Sequence, residues 1–242
     1  MSQHEHPVRR NQSFLAASEQ VVLRWLVRRI PSSVSSLDLT VFGLVGSLIA
    51  SVGLVGCSYS NGFFPLIPVG VVMNWFGDSL DGSLARFRKQ ERPRFGFLVD
   101  HTCDLFSQIF IIVAFGFSPF LTLLSALVVL LCYLLFSAYT YIRAAAHHVH
   151  QMAYIGLGAT EFRILMIAWA SFGVVVNLQQ PTFGSVTSID VAILLLGGIA
   201  AVGLAIKAFS DARAIAHEES ARRAEYEGVH LSKTHHEIMN TK

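Results

Sequence analysis

Charge is what this 242-residue chain has least of. Only 14% of its residues are Asp, Glu, Lys or Arg, against about 25% in a soluble domain. Apolar residues make up 53%, and mean hydropathy is +0.53. That balance excludes a disordered chain and disfavours an ordinary cytosolic enzyme. Cysteine is scarce as well. Cys57, Cys103 and Cys132 lie in or beside apolar stretches without a CxxC, which excludes a disulfide framework and a zinc ribbon. The formal net charge of +2 carries no electrostatic argument for nucleic acid, and no nucleic-acid partner is expected. The first apolar stretch follows a long polar and basic segment, so no cleavable signal peptide is expected. Internal repeats and low-complexity tracts are also lacking.

What the chain does have is apolar segments of membrane-crossing length. Roughly 20 mostly apolar residues make a spanning helix, and six segments qualify: 37–59, 63–75 running on into polar sequence, 97–115, 119–144, 161–177 and 191–209. Period-2 alternation is missing and lipid leaves no partner for open backbone, so the expectation is an all-α integral membrane protein rather than a barrel. Arg9, Arg10, Arg24, Arg28 and Arg29 precede the first span. Arg86, Arg88, Lys89, Arg92 and Arg94 lie between the second and third, Arg143 and Arg163 flank the link between the fourth and fifth, and Lys207 with the tail residues ends the sixth. All 18 positive charges therefore fall on one side of a six-span arrangement. The positive-inside rule makes that side cytoplasmic, with both termini inside. Three regions follow: a cytoplasmic N-terminal segment (1–36), a six-helix transmembrane catalytic domain (37–209) and a charged cytoplasmic tail (210–242). Phe14, Leu15, Val21, Val22, Trp25, Leu26 and Ile30 recur at helical spacing with arginines between them. They predict an amphipathic helix lying on the inner membrane surface, or one packed on the cytoplasmic face of the bundle.

Acids inside membrane spans are costly, and each marks a functional suspect. Four cluster here: Asp78, Asp81, Asp100 and Asp104. At about 100° per residue, Asp78, Gly82 and Ala85 share a helix face with Asp81 at its edge, and Asp100 stacks on Asp104 one turn away. The short link 87–95 predicts that the two helices are antiparallel neighbours with four carboxylates between them. Such a quartet is either mostly protonated or neutralised by a cation. An all-oxygen set suits Mg²⁺ or Mn²⁺ bridging a polyphosphate. Gly82 and Ala85 leave room for a bulky ligand, and Arg86 supplies positive charge at the rim. Close helix packing also explains the small residues, and a cation or proton transporter also explains the acids.

These residues resemble the motif of the CDP-alcohol phosphatidyltransferases, D-x2-D-G-x2-A-R-x(8 or 9)-G-x3-D-x3-D. Asp78, Asp81, Gly82, Ala85, Arg86, Gly96, Asp100 and Asp104 fill all eight fixed positions across 27 residues. The six-span architecture with an N-terminal interfacial helix is similar as well. The resemblance implies an enzyme of phospholipid synthesis that cleaves a CDP-linked alcohol and passes the substituted phosphate to an acceptor hydroxyl, releasing CMP. It implies that Asp78, Asp81 and Asp100 hold Mg²⁺ or Mn²⁺. Asp104 would act as general base while also touching metal, and Asp78, Gly82, Ala85 and Arg86 would contact the CDP part. It implies a CDP-linked substrate, a lipid partner and a homodimer, with the site on the cytoplasmic side, at the inner membrane if the cell is bacterial.

Two donors fit that resemblance. The compact six-span chain resembles enzymes that transfer phosphatidyl from CDP-diacylglycerol to a small polar alcohol. Asp100-His101-Thr102-Cys103-Asp104 and the Thr160-Glu161 pair resemble choline and ethanolamine phosphotransferases, which act on a diglyceride-like lipid. His101, Glu161 and Arg163 are candidate acceptor or rim residues, although Glu161 and Arg163 also suit pairing with each other or with Arg143. His147, His148 and His150 read as solvent-facing rather than as a metal tract. Asp38 reads as a helix cap.

Overall fold

The structure, a computed structural model, describes residues 16–147 and 158–240. Among the described residues there are seven α-helices, one 3₁₀ turn and no strand. The helices are α1 (Ala16–Val27), α2 (Ser36–Gly56), α3 (Leu66–Phe87), α4 (Pro93–Gly116), α5 (Leu123–His147), α6 (Ala159–Val175) and α7 (Ser188–Asn240). The chain falls into two compact units, residues 1–197 and 198–242. The first holds everything discussed below as a site. In the second, α7 continues unbroken past residue 209, with Lys207 Nζ 2.5 Å from Asp211 Oδ1 one turn on and the Arg213 guanidinium 4.3 Å over the Phe209 ring.

Among the described residues, five helices are long and apolar enough to cross a membrane: α2, α3 with its preceding 3₁₀ turn, α4, α5 and α7. The chain is a multi-pass membrane protein. The sixth expected span corresponds to α6, which at 17 residues is shorter than the others. It stops at Val175 because Asn177 takes the left-handed region at φ 51°, which reverses the chain. At the other extreme, α3 runs through the polar stretch to Phe87, further than its apolar residues alone predict.

Helix ends follow the local chemistry. Ser35 caps α2: its hydroxyl accepts from the Asp38 N–H at 3.2 Å, and the Asp38 carboxylate accepts from the Ser35 N–H at 2.8 Å. This reciprocal pair satisfies two backbone donors. Lys89, at φ 55°, ends α3, and Pro93 opens α4 where its missing N–H costs nothing. Arg88 fastens this turn to the one before α2 by donating to the carbonyls of Pro31 at 2.7 Å, Ile30 at 3.3 Å and Val34.

The bundle is organised by a seam of small residues. In lipid, helices gain little from burying apolar surface against one another, so close backbone approach matters more. Gly43, Gly46, Ala50 and Gly53 of α2 face Gly70, Asn74 and Gly77 of α3. A Cβ on Gly46 would lie 2.6 Å from the Asn74 nitrogen, and one on Gly77 would lie 2.5 Å from the Gly43 nitrogen and press on the Leu39 carbonyl. Gly77→Ala is therefore expected to destabilise the fold by about 1–3 kcal/mol, because the obstacle is backbone. The thermal midpoint of detergent-solubilised protein should fall. Gly198→Ala, where nothing lies within 4 Å of the added carbon, should leave it unchanged or higher.

This seam alters the expected neighbour relation. The sequence suggests that α3 and α4 face each other directly. Instead α2 is the main packing partner of α3 and also packs on α4, while α3 and α4 touch only lightly. A short link makes two helices adjacent but does not make them the closest pair, and glycines decided which backbones approach. Helix α1 lies on α3, burying Leu23 and Val27 against Leu39, Leu80 and Leu84. Val21, Val22 and Trp25, part of the expected apolar face, are exposed on it instead. Two apolar stripes therefore run along α1, and only one is used for packing.

At the end of the bundle remote from the four aspartates, Asp190 is wholly buried. It accepts from the hydroxyls of Thr122 and Ser125 and from the Thr187 N–H at 2.7 Å. A buried carboxylate costs free energy unless fully hydrogen-bonded. This one is satisfied, and it knots the start of α5 to the start of α7.

Candidate active site

The walls of one hollow come from three helices. Helix α2 gives Thr40, Gly43 and Leu44; α3 gives Asn74, Asp78 and Asp81; α4 gives Asp100, Cys103, Asp104 and Ser107. All four aspartates line it. Helical spacing explains the selection: Asn74, Asp78 and Asp81 recur at i, i+4, i+7 on α3, and Asp100, Cys103, Asp104 and Ser107 at i, i+3, i+4, i+7 on α4.

The four carboxylates are not equivalent. Asp81 is 7% exposed and accepts from the Thr40 hydroxyl at 2.7 Å and from the Gly82 N–H. Asp78 accepts from Arg163 Nη2 at 2.7 Å. The same guanidinium nitrogen lies 3.9 Å from Asp104 Oδ1. Arg163 Nε donates to Asn74 Oδ1 at 2.9 Å, and Asn74 Nδ2 in turn donates to the Gly43 carbonyl at 3.2 Å. A guanidinium fixed at two nitrogens presents its charge in one direction. Its side chain is only 3% exposed, so that charge acts with little screening by water.

Asp100 has His101 Nδ1 3.6 Å from its Oδ2. The His101 ring stacks on Tyr141 with centroids 4.9 Å apart and meets Phe97 edge-on at 4.2 Å. One ligand atom each from Asp100, His101 and Asp104 fall within 4.8 Å of one another, a spacing a single cation can bridge. Carboxylate oxygens suit Mg²⁺ and Mn²⁺. Four carboxylates gathered around one hollow are a donor set that fits a divalent ion.

The remaining sequence-derived residues are placed as follows. Gly82, Ala85 and Arg86 are outside the lining of the hollow, on the next turns of α3 toward Phe87. Arg86 is exposed and donates to the Ser83 hydroxyl at 3.2 Å. A Cβ on Gly96 would meet nothing within 4 Å. Glu161 accepts from the Gly158 N–H at 3.0 Å, which caps α6. Arg163, read from sequence as an acceptor or rim residue, is buried with its guanidinium against Asp78 and near Asp104. His148, His150 and the side chain of His147 lie outside the described residues.

Sequence reasoning missed Thr40, Asn74 and Glu19. Glu19 of α1 accepts at one oxygen from Trp75 Nε1 at 2.8 Å, Ser79 Oγ at 3.2 Å and Thr160 Oγ1 at 2.9 Å. The available signals were an amide one turn before Asp78 within an apolar span, and an acid four residues before the buried Leu23.

The fold and site together define a membrane-embedded helical bundle with an acidic hollow near one end. The chain belongs to the CDP-alcohol phosphatidyltransferase family, whose model matches residues 30–211. Cholinephosphotransferase 1 of Danio rerio is 35% identical over 100 residues, covering 39% of this chain and 26% of that protein. The match thus spans about a quarter of that relative's length. Among solved structures, the phosphatidylinositol phosphate synthase of Mycobacterium tuberculosis, crystallised with CDP-DAG bound, is similar in fold, with a TM-score of 0.50. It is 19% identical, and the match covers 77% of this chain and 89% of that one.

Proposed function

We propose that the chain is a phospholipid-synthesis transferase that moves phosphatidyl from CDP-diacylglycerol to a small polar alcohol and releases CMP. The observation that carries this reading is that all four motif aspartates line one hollow. The acceptor hydroxyl attacks the phosphorus distal to cytidine. Its proton passes to the Asp104 carboxylate, the bond from that phosphorus to the bridging oxygen breaks, and CMP leaves with the bond pair. Asp78, Asp81, Asp100 and Asp104 would hold Mg²⁺ or Mn²⁺. When bound, that ion neutralises charge on the diphosphate and improves the leaving group. The protein's own part is positioning. Thr40 and the Gly82 N–H orient Asp81, while Asn74 aims Arg163, which holds Asp78. Asp78, Gly82, Ala85 and Arg86 are assigned to the CDP moiety, and His101 to the rim.

The membrane arrangement supports the reading. Helix α6 starts at the aspartates through Arg163. Further along, Trp169 Nε1 donates at 3.1 Å to the carbonyl of Phe120, in the turn that follows the far end of α4. The 17 residues of α6 rise about 26 Å. We count it as a sixth span; by the positive-inside rule the Lys- and Arg-bearing links, and the hollow beside them, are then assigned to the cytoplasmic side. The exposed Val21, Val22 and Trp25 of α1 would then rest in the membrane interface. A homodimer is part of the same proposal.

A second reading, transfer from CDP-ethanolamine or CDP-choline to a diglyceride-like lipid, is favoured by the sequence from Asp100 to Asp104 and by the cholinephosphotransferase relative. Purified protein offered labelled CDP-diacylglycerol and labelled CDP-ethanolamine separately, each with a panel of acceptors, decides between them. A phosphatidyl product and CMP are expected from the first donor alone. Product from the second alone reverses the donor assignment, and no CMP from either overturns the activity. Chelator should stop turnover and Mg²⁺ or Mn²⁺ should restore it.

A further inference from the structure

Helix α1 buries one stripe, and Glu19 stands on it. Leu23 is one turn later and Val27 two, both packed into the bundle. A carboxylate in register with core residues needs partners, and Glu19 has three on two different helices. Trp75 and Ser79 belong to α3, whereas Thr160 belongs to the first turn of α6. Thr160 and Arg163 are three residues apart on that helix and so share a face. The first turn of α6 is thus held at two points: by Glu19 through Thr160, and by Asn74 and Asp78 through Arg163.

We infer that Glu19 is a positioning residue for the transfer reaction, acting through Thr160 to set the start of α6 so that Arg163 reaches Asp78 and Asp104. This rests on the transferase reading above. The effect of Glu19 on the aspartates passes through a helix end. Helix α1 thereby helps to fix a charge beside Asp78 and Asp104. Small displacements of such a charge matter, because phosphoryl transfer depends on alignment.

The test is a mutant cycle read in two ways, as kcat for CMP release and as thermal midpoint in detergent. Glu19→Ala and Thr160→Val are each expected to lower kcat about tenfold, with the donor KM moving less than twofold. Glu19→Gln, which keeps a carbonyl oxygen for Thr160, should recover most of the rate. Trp75→Phe removes a donor to the same carboxylate without touching α6 and should leave kcat unchanged. In an Arg163→Met background, Glu19→Ala should add nothing to the loss of rate and little to the loss of midpoint. Additive losses in both readouts, or a Trp75→Phe defect equal to that of Thr160→Val, overturn the inference. If the unmodified protein releases no CMP from any donor, the transferase reading fails by itself, and the midpoint cycle still decides whether Glu19 and Arg163 are coupled.

Discussion

Asp81→Asn should leave the protein folded and lower CMP release about a thousandfold, equivalent to about 4 kcal/mol of transition-state stabilisation. The substitution keeps shape and hydrogen-bonding capacity. The Gly82 N–H still finds a carbonyl oxygen, and the Thr40 hydroxyl rotates to accept from the new amide. Only the charge is lost. Asp81 is the most buried of the four acids, so water cannot substitute for its carboxylate in holding a cation. The monodisperse peak on size exclusion should be unchanged while turnover collapses. Activity within threefold of the original would remove Asp81 from the cation-binding set and with it the proposed use of the hollow.

Arg163→Met is expected to have the largest effect on stability. The guanidinium is almost fully buried and donates to both Asp78 and Asn74. Removing one member of a buried ion pair leaves the other charge uncompensated, typically at a cost of about 3–5 kcal/mol. Here Asp78 and Asp104 keep 20% and 28% side-chain exposure, so partial screening brings the expectation down to about 2–3 kcal/mol. For a chain of this size that lowers the thermal midpoint by roughly 5–10 °C. The loss should be greatest with chelator present and partly reversed by millimolar Mg²⁺, because a divalent ion would neutralise the same carboxylates. Rescue by Mg²⁺ in the variant, without a comparable gain in the parent protein, is the signature to look for. A midpoint indifferent to both the substitution and the metal would show that these acids need no cation.

Much of this could be read in advance, and the misses have physical causes. The spans α2 to α5 and α7 are visible because a membrane demands length and apolarity of each segment separately. The four aspartates are visible because charge inside a span is rare enough to stand out. Arg163 is also a charge at the start of a span, but sequence cannot say whether such a residue points to the rim or folds inward onto acids 59 and 85 positions away. Thr40 and Asn74 are ordinary neutral residues whose role exists only once α2 lies against α3. On α1 and just beyond it, Leu26 and Ile30 of the expected apolar face pack with Leu23 and Val27 while Val21, Val22 and Trp25 stay exposed, a division that spacing alone does not reveal. The glycine spacing from Gly46 to Gly53 and from Gly70 to Gly77 is plainly written. Its reading as the tightest joint of the bundle depends on knowing which helix faces which.

That joint has a consequence for the height at which chemistry occurs. Main chain rests on main chain between α2 and α3, so neither rod slips along the other by altering a rotamer. Thr40 and Asp81 are thereby locked at one level. In a thicker or thinner bilayer the two rods would tilt as one body, carrying the aspartates with them, and lipids of differing tail length would present their headgroups to an unchanged ledge.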